Sequence, residues 1–202
     1  GIDVRVINIL LSNKHGAVRR TATFLMFMAI ACWYAVTIRA DVVLCSSGPV
    51  TVGLPGLLAH WLRRRPFVFE LRDLFAEGLR QLGVVQRPLV IATAEWLERG
   101  LCRRADRVVA LSPSMADWLR KRWGVTAVET IPNAADNQLF GEPAAEVEGP
   151  RPDRAPGEHW AVFTGTIGTA NNCGILLDAA EILRDRGITD VRIVLIGDGT
   201  ER

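Results

Sequence analysis

The sequence predicts an α/β fold in which helices pack on a parallel sheet, and three observations lead there. A short β-branched run, Arg107–Leu111, is followed by Ser112-Pro113, the pairing expected of a helix N-cap and its first residue. The helix opened there, Pro113–Trp123, sets Met115, Trp118, Leu119 and Arg122 on one stripe, three of them apolar, and stops at Gly124, where a C′ glycine belongs. A second apolar run, Ala127–Ile131, then meets Pro132-Asn133, so the stretch is a strand-helix-strand crossover of the kind that joins parallel strands. In open sheets of this class ligands sit outside the carboxyl ends of the strands, which makes Ser112, Asn133 and Asp136 candidate cleft residues.

From the start of the chain, Val4–Leu10 reads as a buried strand and Ser12–Gly16 as a loop. Thr21–Ile38 follows, 18 residues without a charge between Arg19-Arg20 and Arg39. That length meets the minimum for a membrane span. Against this stand the strands on either side, Val4–Leu10 and Asp41–Cys45, because a crossover between parallel strands needs a helix of this length on the sheet. The segment is therefore expected to be a domain helix, with an outer face that could touch lipid.

Ser46 and Ser47 close the strand Asp41–Cys45 at its carboxyl end and join the cleft candidates. The helix Val50–Arg64 is expected to turn Leu54, Leu57, Leu58, Trp61 and Leu62 inward. After the strand Phe67–Leu71 comes Arg72-Asp73, a charged pair where cleft residues are expected; a surface salt bridge, or an N-cap by Asp73, would explain it as well. Pro88–Arg104 is an amphipathic helix. Residues 141–158, rich in proline, glycine and acids, have the composition of a linker between a first domain, 1–140, and the start of a second, 159–202. In that second part the strand Trp160–Thr164 leads through a glycine-bearing loop to the helix Ile175–Arg186, and the strand Val191–Ile196 ends in Gly197-Asp198-Gly199. Such loops can turn backbone N–H groups toward phosphate oxygens.

Composition narrows the function. At 202 residues and 49% hydrophobic content the chain has ample core, and a net charge of +2 argues against a nucleic-acid binder that neutralises many phosphates. The basic clusters Arg63–Arg65, Arg103-Arg104 and Arg120–Arg122 read first as solvated faces, with an anionic membrane surface as the alternative partner. Cys32, Cys45, Cys102 and Cys173 have no paired spacing and read as reduced core residues; with His15, His60 and His159 isolated, no metal site is indicated. A nicotinamide fingerprint would need G-x-G-x-x-G, and neither glycine loop completes it. Gly1-Ile2-Asp3 has no basic leader and no initiator methionine, so the chain is expected to begin within a longer protein.

Phe69–Leu74, the Glu95-Trp96-Leu97-Glu98-Arg99 helix segment, Ala105–Ser112, Ile131–Asp136, Phe163–Gly168 and Leu195–Gly199, in that order, resemble family 4 glycosyltransferases of the GT-B fold that build bacterial surface polysaccharides. The resemblance implies two Rossmann-like domains, the first incomplete and on the acceptor side, the second the beginning of a nucleotide-sugar-binding domain. It implies a retaining, metal-independent transfer with no cofactor, from a nucleotide-sugar donor to a lipid-linked or glycan acceptor. The cytoplasm, peripheral to the inner membrane face, is the implied location. The donor-side candidates are Gly165, Thr166, Gly168, Asn171, Gly197, Asp198 and Gly199, and Arg72 and Asp73 are the catalytic candidates.

Where the family often places a basic pair in its donor loop this chain has Thr166 and Asn172, so phosphate neutralisation must come from elsewhere. A non-catalytic nucleotide- or sugar-binding module is the alternative. The family's first strand is expected before Gly1 and its donor-binding glutamates beyond Arg202. If Val4–Leu10 and Val42–Cys45 are the second and third strands, the missing one belongs between the second and the fourth, Phe67–Leu71. The 202 residues alone are then expected to be inactive and prone to aggregate through exposed strand edges.

Overall fold

The computed structural model describes residues 3–9, 17–83, 87–141, 155–169 and 171–199. The chain divides into two compact units, Gly1–Ala134 and Ala135–Arg202. The first contains α1 (Ala17–Thr37), β1 (Val43–Ser46), a 3₁₀ turn at Val50–Val52, α2 (Gly53–Arg63), β2 (Phe67–Leu71), α3 (Phe75–Leu82), α4 (Pro88–Arg104), β3 (Arg107–Ala110), α5 (Pro113–Trp123) and β4 (Val128–Thr130). Its four strands are all parallel in the order β1-β2-β3-β4, with Cys45 beside Phe69, Phe69 beside Val108 and Val108 beside Val128. This is the α/β, Rossmann-like architecture expected.

The core lies on one face of that sheet. Phe67, Phe69 and Leu71 alternate along β2 with no accessible surface, and Val108, Ala110 and Val128 extend their row. Leu57 of α2, Leu101 of α4, and Ala116, Leu119 and Trp123 of α5 close over them. Each large side chain so buried stabilises the unit by roughly 1.5 to 3 kcal/mol. Two glycines let α2 lie close: a Cβ at Gly56 would run into the Phe67 ring and the Cys45 sulfur, and one at Gly53 would stand 2.7 Å from Leu101 Cδ1. Cys102 belongs to the same core, and burial followed by the charge of nearby Glu98 pushes its thiol pKa up.

Local signals placed α5 well. Ser112 Oγ accepts from the Met115 N–H at 3.2 Å, and Gly124 ends the helix at φ 66°. Its buried stripe is Ala116, Leu119 and Trp123; Met115 and Trp118 pack at the margin and Arg122 is exposed, one position off the expected stripe. Asp106 ties the amino end of the sheet, where its Oδ2 and backbone N–H bond the N–H and carbonyl of Phe67, both at 2.8 Å.

The uncharged segment forms α1, which packs on α2. Among the described residues no helix is long and apolar enough to cross a membrane. Arg63 Nε and Arg65 Nη1 donate to the carbonyls of Val36 and Ala35 at 3.0 and 2.8 Å, so part of the first basic cluster caps the end of α1.

Three expectations are corrected. Residues 4–9 are in no strand, with Val4 74% exposed, because a β-branched run becomes a strand only beside a neighbour's ladder, and no described strand pairs with it; Leu10 lies outside the described residues. Second, β1 pairs directly with β2 from Val43–Phe67 to Ser46–Glu70, so no strand is missing between them and Phe67–Leu71 is an inner strand rather than an exposed edge. The short path through α2 returns the chain to the adjacent position. Third, Trp61 and Leu62 are 60% and 62% exposed, since α2 rests on its small residues Gly53, Gly56 and Ala59 instead.

The second unit contains α6 (Asn137–Phe140), β5 (His159–Thr164), α7 (Gly174–Asp185) and β6 (Val191–Ile196). Its two strands run parallel, paired from His159–Val191 to Thr164–Ile196. Of the expected linker, residues 142–154 lie outside the described residues. Glu158, just before β5, accepts from the Trp160 Nε1–H at 2.8 Å and the Ala155 N–H at 3.1 Å and pairs with Arg192 at 2.6 Å.

Candidate functional site

Parallel strands in register put all their carboxyl ends at one edge of the first sheet. There the structure gathers Ser46, the last residue of β1, and Ser47 just after it, Arg72 and Asp73 after β2, Ser112 after β3, and Asn133 after β4. Arg72 and Asp73 are both exposed. Among the described residues neither makes an ion pair, with the other or with any other side chain. The salt-bridge explanation of this pair therefore fails.

The capping explanation fails too, and the residue that replaces Asp73 in that role was not read from the sequence. The first N–H groups of α3, on Phe75 and Ala76, are accepted by the carboxylate of Glu98 on α4, at 2.8 and 3.2 Å. Glu98 has no accessible surface. Burial raises its pKa, the two backbone donors pull it back, and the charge of Glu95 adds to the rise. On the other flank Ser47, also buried, accepts the Arg72 N–H on its Oγ at 2.9 Å and donates its own N–H to the Glu70 carbonyl at 2.8 Å. The loop carrying Arg72 and Asp73 is thus fastened at both ends while its two charged side chains stay open to solvent. Fixed backbone with free, unpaired polar ends is what positioning a reactant requires.

The other acceptor-side candidates divide. Ser112 spends its hydroxyl on the α5 cap and lies 3.0 Å from Ser114 Oγ. Asn133 is exposed at the edge. Asp136 belongs to the second unit, where its carboxylate accepts the Gln138 N–H at 2.9 Å at the start of α6.

The donor-side candidates come together within the second unit. Beyond β5 and β6 the two loops continue side by side, with the Gly165 N–H on the Ile196 carbonyl and the Ile167 N–H on the Asp198 carbonyl, both at 3.0 Å. The approach is so close that a Cβ at Gly197 would meet the Gly165 carbonyl oxygen and one at Gly199 the Ile167 carbonyl oxygen. Asn171 Nδ2 donates to the Thr166 carbonyl at 2.6 Å and stiffens the first loop, and Asn172 holds φ 45°, a conformation asparagine tolerates. Gly168 accepts the Asn171 N–H on its carbonyl at 2.9 Å, and the Gly199 N–H bonds the Asp198 carboxylate at 2.9 Å. The N–H groups of Gly165 and Gly199 are therefore already engaged, so an anion here would be met by others in the loops.

The sequence model of a glycosyl transferase 4-like domain matches residues 1–134, the whole first unit. The chain belongs to the glycosyl transferase 4-like family. No curated protein matches it. A glycosyl transferase 4-like domain is a transferase module, and its reaction joins a sugar donor to an acceptor. The Arg72–Asp73 loop, Ser47 and Glu98 all lie inside the matched region.

Proposed function

We propose that this protein is a retaining glycosyltransferase that moves a sugar from a nucleotide-sugar donor to a lipid-linked or polysaccharide acceptor in cell-surface glycan synthesis. It works in the cytoplasm, peripheral to the inner membrane face. The observation that carries the reading is the open Arg72-Asp73 pair, held from behind by buried Ser47 and Glu98 at the carboxyl edge of a family-matched sheet.

In this reading Asp73 accepts the hydrogen bond of the attacking acceptor hydroxyl and orients it. The bond from the anomeric carbon to the diphosphate oxygen breaks, the new bond to the acceptor oxygen forms on the same face, and the acceptor proton passes to the leaving diphosphate. Arg72, beside Asp73 in the same loop, sets a positive charge near the acceptor hydroxyl and eases its deprotonation. The loops at Gly165–Gly168 and Gly197–Gly199 cradle the donor diphosphate with backbone N–H groups, without a metal ion or other cofactor.

Incubating the full-length protein with a panel of nucleotide sugars and membranes tests this. Transfer, or donor hydrolysis without acceptor, is expected for at least one donor. A protein that binds a donor and never turns it over would instead be a binding module.

A further inference from the structure

Two helices of the first unit are capped in different ways, and the difference bears on Asp73. At α5 the cap is local: Ser112 Oγ accepts the Met115 N–H, three residues on, at 3.2 Å. At α3 a carboxylate stands at the same local offset, because Phe75 and Ala76 lie two and three residues beyond Asp73, the positions whose N–H groups an N-cap aspartate ordinarily takes. Yet those two N–H groups go to Glu98, one to each carboxylate oxygen, across 23 and 22 residues of chain.

The local cap would cost less. Asp73 is exposed and would bond the helix end from a solvated position, whereas Glu98 has no accessible surface and gives up its hydration to do the same. The long-range cap is also firmly built. One turn before Glu98 on α4, Glu95 accepts from Arg80 Nη2 of α3 at 2.8 Å, so α4 holds α3 at two points. What this arrangement leaves is a free Asp73, whose carboxylate has no partner among the described residues. A local rule broken at a cost in stability, beside a candidate site, is where function is expected to set the choice.

We propose that Glu98 is a positioning residue for sugar transfer: by occupying the Phe75 and Ala76 N–H groups it denies them to Asp73 and keeps that carboxylate turned outward for the acceptor hydroxyl. The inference rests on the glycosyl-transfer reading and gives the buried glutamate a part in it. Without Glu98 the two N–H groups are left to the aspartate at the N-cap offset, and a carboxylate folded back onto its own helix cannot orient a hydroxyl.

Amide exchange at Phe75 and Ala76 in the full chain tests this without any sugar. Asp73→Ala alone should leave both amides as protected as in the wild type, since Asp73 caps nothing there. Glu98→Met removes both acceptor oxygens at nearly constant side-chain volume, and in that background Asp73→Ala should speed exchange roughly five-fold, the scale of a lost aspartate cap. Glu98→Gln, which keeps one acceptor oxygen, takes its place if Glu98→Met does not fold, with coupling of the same sign. Faster exchange on Asp73→Ala in the wild-type background, or the same effect in both backgrounds, overturns the proposal. In transfer assays Glu98→Met should slow the reaction about as far as Asp73→Ala does, and the double variant should be no slower than either. Losses that multiply overturn the proposal, because a glutamate that only stabilises the fold slows both backgrounds alike. Coupled exchange with no sugar transfer from any donor sinks the transferase reading alone; transfer by Glu98→Met at the wild-type rate sinks the positioning role alone.

Discussion

The two units use the same strand vocabulary and bury it very differently. In the first, β2 is inaccessible at Phe67, Phe69 and Leu71 because strands flank it on both sides and helices cover its face. In the second, β5 and β6 pair over six positions, yet α7 has no buried residue and Val162 and Ile196 stay 51% and 53% exposed. Pairing alone makes a strand; a core needs a layer on each side of the apolar row. The first unit therefore holds its loops against a rigid base, and the second holds its loops mainly against each other.

The largest expected contrast is in core truncation. Phe69→Ala should cost about 3 to 5 kcal/mol, whereas Val162→Ala should stay within about 1 kcal/mol, read as local hydrogen-exchange stability in each unit. Equal costs would mean that the second unit has a core as tight as the first. Next, Gly197→Ala drives a Cβ into the Gly165 carbonyl, and a backbone obstacle cannot rotate away. It should destabilise the β5–β6 loops by about 1 to 3 kcal/mol, visible as faster amide exchange at Gly165 and Ile167.

A subtler contrast lies in two glutamates with opposite pH behaviour. Burial raises the Glu98 pKa, so the stability its titration contributes is full below the ordinary carboxylate value and is lost as pH rises through the raised folded value. The Trp160 hydrogen bond, then the Ala155 N–H and Arg192, lower that of Glu158. Its contribution is present above the ordinary value and lost as pH falls through the lowered one. Subtracting Glu98→Gln and Glu158→Gln melts from wild type between about pH 3 and pH 8 should give differences of opposite slope. Slopes of the same sign would contradict one of the two environments.

The smallest expected effect is at the sheet edge. β1 has no partner among the described strands on its outer side, and Leu44, on the sheet face opposite Cys45, is 64% exposed. Leu44→Lys should reduce concentration-dependent association with little change in stability.

What could be read from the sequence was what neighbours in sequence decide. Ser112-Pro113 and Gly124 bracket α5 by local chemistry, and the apolar runs at Phe67–Leu71 and Val191–Ile196 become strands with those bounds. What could not be read was decided across the chain. Val4–Leu10 has strand composition, but composition supplies no partner. Glu98 looks like one more charge on an amphipathic helix, and only the fold brings it to Phe75, 23 residues earlier. Likewise Arg63 and Arg65 look like a solvated cluster until α1 ends beside them. The position of the candidate residues at the strand ends was legible because strand order fixes where carboxyl ends fall; the clamp that holds their loop was not, because it is tertiary. A capping residue sought only within a few positions of its helix misses such long-range caps.

Asp73→Asn in the full-length protein tests the central claim most directly, since the side chain is exposed and caps nothing. Initial rates of sugar transfer should fall by about 100-fold or more, the scale of a lost hydroxyl-orienting carboxylate, while the melting temperature stays within error of wild type. Transfer at the wild-type rate, or a domain that unfolds on this single change, would show that the Arg72–Asp73 loop is not where the acceptor is engaged.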